Sequence, residues 1–401
     1  MTKIVSPPPL TLLQNAELFG PEPLGRSDIL VGGGVVLAVG HGLSRPDDAL
    51  CQVVDLGGKR VIPGLIDAHV HLTGGGGESG PSSRVPEVRL SELSRAGVTT
   101  AIGVLGTDGT TRSVAALVAS TLALREQGLS AWCWTGSYEV PPITLTGSVR
   151  SDIVFVDPII GVGEVAISDH RSSQPTLDEL ARLAADAHVG GMMSGKAGVL
   201  HLHMGDGSRG LELVRRLLDT TELPAEVFYP THVNRKKRLF AEALDLARRG
   251  SPVDVTAFPV AEGEDALAAA DAIAEYLKSG APADRLTCSS DGGGCLPTFD
   301  RAGRMVSMDV GSPSALAQTL DVLLSRGHAL DEVLPVFTRN VADVLGLGQK
   351  GRIAAGADAD LVVLDDAHGI RDVMARGRFL VRAGEPVVFG TFERATQSAS
   401  K

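Results

Sequence analysis

Val61-Ile62-Pro63-Gly64-Leu65-Ile66-Asp67-Ala68-His69-Val70-His71 decides how the rest of this 401-residue chain is read. Gly64 punctuates it, an apolar run follows over residues 65–70, and two histidines close it one residue apart. Side chains in a strand alternate faces with a period of two, so His69 and His71 point into one volume. Two imidazoles at one strand end can share a metal ion, although an HxH pair alone also fits a solvated surface.

The same texture recurs outward from this stretch. Apolar runs at residues 65–70, 98–104, 130–137, 161–167, 199–204, 226–232, 253–258 and 286–290 alternate with segments of helical period such as 176–188 and 239–249. Eight such units imply an α/β fold, a (β/α)8 TIM-like barrel over residues 62–345, with its chemistry at the C-terminal strand ends. On either side lie short β-branched runs cut by glycine, such as Ile29-Leu30-Val31 before Gly32-Gly33-Gly34 and the later 351–365 segment. They predict a small antiparallel sheet near the start and, over residues 1–61 and 346–401, one small β-sandwich domain built from both chain ends.

Three more polar residues fall at predicted strand ends: His203, His232 and Asp291. Imidazoles and a carboxylate gathered at one rim are costly as bare polar groups, and their nitrogen and oxygen donors suit zinc or a similar divalent ion. Composition narrows the partners. With 37 basic and 48 acidic residues the formal charge is −11, and no basic tract of the kind nucleic-acid binding needs is present. No window holds 18 uninterrupted apolar residues, which argues against a membrane span. Cys51, Cys133, Cys288 and Cys295 show no CxxC spacing, and the proline-interrupted start lacks a secretory apolar stretch, so free thiols and a cytoplasmic protein are expected.

The chain resembles the amidohydrolase superfamily and, within it, the isoaspartyl (β-aspartyl) dipeptidase family. The superfamily resemblance rests on residues 61–71, on His203, His232 and Asp291, and on the closing 351–365 segment. The subgroup resemblance rests on His71-Leu72-Thr73-Gly74-Gly75-Gly76-Gly77-Glu78, Thr135-Gly136-Ser137-Tyr138, Ala166-Ile167-Ser168-Asp169-His170-Arg171 and Thr231-His232-Val233-Asn234-Arg235. It implies two divalent metal ions, zinc by family habit, one held by His69, His71 and Asp291 and the other by His203 and His232, with a hydroxide between them as nucleophile. It further implies Asp291 as general base and then acid, and Tyr138 as the donor to the oxyanion.

Two residues depart from the family pattern. Where better-known relatives carry a carboxylated lysine as metal bridge, this chain has Glu164, whose carboxyl carbon is three bonds closer to Cα. Either backbone or metals must then move closer, and Gly161 and Gly163 would permit that. The competing readings are an ordinary ion pair of Glu164 with Arg171, and Lys196 as the bridge; Lys196 precedes its strand and is expected to be structural. Cys295 stands where the family often presents a serine, and a thiol is the weaker donor.

For substrate, the resemblance implies a small dipeptide with a free amine and two carboxylates. Glu78 would pair with the amine, Gly76 and its neighbours would offer backbone NH groups, Thr107 would assist, and Arg171 and Arg235 would grip the C-terminal carboxylate. Cys295 would also touch substrate. A homo-oligomer such as an octamer is the assembly that the resemblance implies. Another amidohydrolase activity, such as D-aminoacylase or cyclic-amide hydrolase, is the alternative, and a barrel turned non-catalytic scaffold is the third reading.

Overall fold

The computed structural model describes residues 9–46, 50–299 and 305–393; the outermost parts of the expected β domain, residues 1–8 and 394–401, lie outside these. Eight strands follow one another around a barrel: β1 (Leu65–Val70), β2 (Val98–Gly103), β3 (Ser130–Thr135), β4 (Ile159–Ile167), β5 (Val199–Met204), β6 (Phe228–Thr231), β7 (Val253–Thr256) and β8 (Leu286–Ser289). Every residue of β1, β2, β4, β5, β6, β7 and β8 is buried, as a parallel sheet covered on both faces requires. Crossover helices supply the outer cover. The helix Leu177–Ser194 shows how the chain sets their limits: Thr176 and Glu179 form a capping box at its start, and Gly195 ends it at φ 67°, a left-handed conformation that glycine adopts without strain.

Strands β1 to β6 form one continuous parallel ladder and β7 pairs with β8 in a second. The two seams between the ladders are stitched by buried carboxylates. At one, Asp254 of β7 accepts from Thr231 of β6 at 2.7 Å, from Thr287 of β8 at 2.6 Å and from Ser289 at 2.5 Å. At the other, Asp67 of β1 accepts from the Ser290 amide at 3.1 Å and from its hydroxyl, while the His71 amide donates to the Gly292 carbonyl at 2.8 Å. The barrel thus closes by side chains at the first seam, and by side chains together with a lone backbone bridge at the second.

Both chain ends enter one nine-stranded sheet. Leu10–Phe19 pairs antiparallel with Pro23–Gly32 but parallel with Cys51–Asp55 and Arg60–Pro63, and Arg60–Pro63 continues antiparallel onto Leu361–Leu364. The early strands therefore make a mixed sheet instead of the purely antiparallel one expected. Their alternating side chains define a buried face, which is indifferent to the direction of the neighbour. Leu13, Leu18, Ile29, Val61, Leu361 and Met374 form a core cluster of their own beneath this sheet. Among the described residues, no helix is long and apolar enough to cross a membrane.

Candidate metal centre and active site

At the C-terminal mouth the strands deliver the predicted groups to one buried volume. His69 Nε2 lies 3.4 Å from Glu164 Oε1 and 3.6 Å from Asp291 Oδ1, and His71 Nε2 lies 3.7 Å and 3.0 Å from the same two oxygens. On the other side of the glutamate, Oε2 is 3.0 Å from His203 Nδ1 and 3.7 Å from His232 Nε2. The two oxygens of one carboxylate therefore face two separate histidine pairs.

Backbone irregularities aim these side chains. Between β4 and β5, Val162 pairs with Leu200 and Val165 with Leu202, so Gly163 and Glu164 together oppose His201 alone. Such a bulge re-aims a side chain. A Cβ on Gly163 would stand 2.6 Å from the His201 carbonyl oxygen, so only glycine allows the strands to come this close. This close approach of β4 to β5 accompanies the short arm of Glu164 at the centre. A second bulge opposes Ala68 and His69 to Ile102. His232 and Asp291, each just past its strand, take the left-handed conformation at φ 60° and 54°, which costs a non-glycine residue about 1–3 kcal/mol.

Charge and hydrogen bonding test whether a metal fits. His69 Nε2, His71 Nδ1, Glu164 Oε1 and Asp291 Oδ1 are buried with no hydrogen-bond partner among the described residues. Native interiors rarely leave such atoms orphaned, and this nitrogen and oxygen set is one that zinc-like ions take. Two triads, His69 with Glu164 and His232, and His69 with His71 and Asp291, bring donor atoms within 4.8 Å of one another. Burial works against the charge of Glu164, but the field of His69 and hydrogen bonding to His203 and His232 outweigh it and hold the carboxyl well below its ordinary range. Burial also opposes the charge of His69, while Glu164 and Asp291 push it up to about 9, so a metal entering here displaces a proton. The residues present could hold divalent metal.

Around this centre stands a ring of polar residues. The Tyr138 hydroxyl is buried 2.8 Å from His203 Nδ1. Arg171 does not pair with Glu164; it forks onto Asp169 at 3.0 and 2.8 Å and reaches Glu78 Oε1 at 3.4 Å. Arg235 Nη1 lies 3.3 Å from His203 Nε2. Thr107 sits on the turn after β2, its carbonyl accepting from Gly109. The partly exposed Cys295 has its thiol pushed up to about 11 by burial and by Glu78 and Asp291, so it is a thiol at neutral pH. Lys196 is remote from the centre and donates to the carbonyls of Ile153 and Val156 at 2.6 and 2.8 Å.

The backbone cradle expected along the glycine-rich loop fails at Gly75, whose amide is committed to the Gly293 carbonyl at 2.8 Å. The loop is held instead from its carbonyl side. Arg112, not foreseen from the sequence, donates to Thr73 at 3.2 Å, Gly75 at 2.8 Å and Gly76 at 3.4 Å, and pairs with Asp108 at 2.9 Å. Asp169 was also missed as a site residue: burial opposes its charge, yet His203 and Arg171 hold it well below the carboxylate range. Its signal was its position, two residues past the end of β4.

Comparison with known proteins accords with this geometry. The Amidohydrolase family model matches residues 60–380. A crystal structure of a beta-aspartyl dipeptidase from Fervidobacterium islandicum AW-1, in complex with the beta-Asp-Leu dipeptide, superposes with a TM-score of 0.88 at 45% identity, covering 94% of this chain and 98% of that one. A dihydropyrimidinase from Brevibacillus agri NCHU1002 shares the fold, with a TM-score of 0.64 at 17% identity over 95% of this chain and 97% of that one. An imidazolonepropionase from Ruegeria sp. is 26% identical over 84% of this chain and 86% of its own length. The chain belongs to the amidohydrolase family.

Proposed function

We propose that this amidohydrolase hydrolyses the isopeptide bond of β-aspartyl dipeptides, using two zinc-type divalent ions. The observation that carries the reading is Glu164, whose Oε1 faces His69 and His71 while its Oε2 faces His203 and His232. Asp291 completes the first set. The dipeptide-bound dipeptidase of similar fold, at 45% identity, supports the substrate class. When bound, the ions supply Lewis acidity and a water acidic enough to attack near neutral pH.

The chain's own groups do the rest. Burial opposes the charge of Asp291, but contact with His71 and the fields of His232 and His69 keep it a carboxylate, able to take a proton and return it to the departing amine. Tyr138 keeps its proton, because burial and then Glu164 push the phenol well above its ordinary range. That proton is available to a developing oxyanion. Glu78 and Arg171, 3.4 Å apart, take the substrate's amine and carboxylate in turn, and Arg235 adds a second guanidinium. Gly76, Thr107 and Cys295 are assigned to substrate contact as well. A homo-oligomer belongs to the proposal, and light scattering on the purified protein tests it.

Leucine release from β-Asp-Leu and from α-Asp-Leu, by zinc-loaded and chelated protein, tests the function. Zinc-dependent cleavage of the β-linked substrate alone is expected. Cleavage of neither peptide would refute the substrate assignment and leave the family intact.

A further inference from the structure

One layer below the metal-facing cluster, the barrel interior holds a histidine that the chemistry above does not use. His201 of β5 is fully buried, its ring stacked on Trp134 at 5.1 Å with 21° between planes and against Tyr229 at 4.8 Å. An apolar ring would fill that slot as well. The two ring nitrogens, however, are both engaged: Nδ1 lies 3.0 Å from the Tyr229 carbonyl oxygen and Nε2 lies 2.8 Å from Nδ1 of His69.

Donor and acceptor roles follow from these partners. A carbonyl oxygen only accepts, so His201 Nδ1 carries the hydrogen. Its two nitrogens meet a carbonyl and an imidazole, not a carboxylate, and the ring is wholly buried between Trp134 and Tyr229, so the neutral form is the one this pocket holds. Its Nε2 is then a lone pair and accepts from His69 Nδ1. What remains on His69 for a metal is Nε2, the buried orphan beside Glu164 and Asp291. The line runs from the backbone of β6, through β5, to β1. It is braced at its far end by Trp134, whose indole NH donates to the carbonyl of Ala68, next to His69, at 3.3 Å. Metal-bound histidines commonly donate their other NH to a carboxylate or carbonyl; here the acceptor is a second histidine.

We propose that His201 is a positioning residue that locks His69 in its Nδ1–H tautomer and so aims Nε2 at the metal. The inference rests on the reading of His69 as a metal ligand. A purely structural His201 would leave metal affinity alone once the protein folds.

The test is zinc affinity by chelator competition on the wild-type protein, His201→Phe and His201→Gln, with urea denaturation of each metal-free chain. Phenylalanine keeps the stack and removes the acceptor, so its zinc dissociation constant should rise about 10–100-fold. Glutamine restores an acceptor and should recover part of that loss. Wild-type-like zinc affinity in a folded His201→Phe protein, within twofold, overturns the inference. Wild-type protein that takes up no zinc overturns the metal reading, and this inference with it. Should the phenylalanine variant not fold, nitrogen NMR of histidine-labelled wild-type protein decides, with His201 assigned by its loss in His201→Gln. A protonated Nδ1 beside an unprotonated Nε2 is expected, and the opposite tautomer refutes the proposal.

Discussion

The seams of the barrel and its mouth both bury carboxylates among polar side chains, and they differ in whether the hydrogen bonds close. At the seam, Asp254 spends its oxygens on Thr231, Thr287 and Ser289. At the mouth, Glu164 Oε1 and Asp291 Oδ1 find no partner among the described residues, although histidines stand within 4 Å. Buried polar groups left open cost free energy that closed ones do not. The closed cluster holds strands together, and the open one is shaped for something that arrives later.

Substitutions can break that contrast. Asp291→Asn should lower kcat/KM for β-Asp-Leu by about 1000-fold, the scale of losing a positioned proton acceptor, with little change in the urea midpoint of the metal-free chain. Asp254→Val should do the reverse. It leaves the hydroxyls of Thr231, Thr287 and Ser289 without their acceptor and should cost about 3 kcal/mol in urea denaturation. If Asp291→Asn lost stability and Asp254→Val lost only activity, the contrast would be wrong.

Smaller effects sharpen the picture of the mouth. Arg235→Met should raise KM about 30-fold with kcat nearly unchanged, as expected for one charge-assisted hydrogen bond to a carboxylate. Metal uptake should release a proton from His69, whose pKa of about 9 means that zinc affinity falls about tenfold per pH unit from 9 to 7. Chelator competition at pH 7, 8 and 9 measures this, and a flat profile would place the ion elsewhere. Cys295→Ser should change kcat/KM by less than about threefold, because its thiol, held near 11, takes no part in nucleophilic attack.

Much of the barrel was legible in the sequence, because continuous apolar runs and helical periods are strong local signals. The two histidines of residues 69–71 and the polar residues that end later strands could be placed at one rim by periodicity alone. What remained hidden depends on partners far apart in the chain. His201 shares a strand face with His203, but only the fold shows that it reaches back to His69. Arg112 looks like an ordinary helix-flanking arginine until the glycine-rich loop folds over it. The bulge at Gly163 and Glu164 exists only in the pairing of β4 with β5, although the glycine beside the carboxylate was a cue to close approach.

Anomalous diffraction at the zinc edge, from crystals grown with zinc, tests the central claim most directly. Two peaks are predicted, one between Glu164 Oε1 and the His69–His71 pair and one between Oε2 and the His203–His232 pair. No peak at the mouth, or a single peak that leaves one Glu164 oxygen unliganded, would contradict the account.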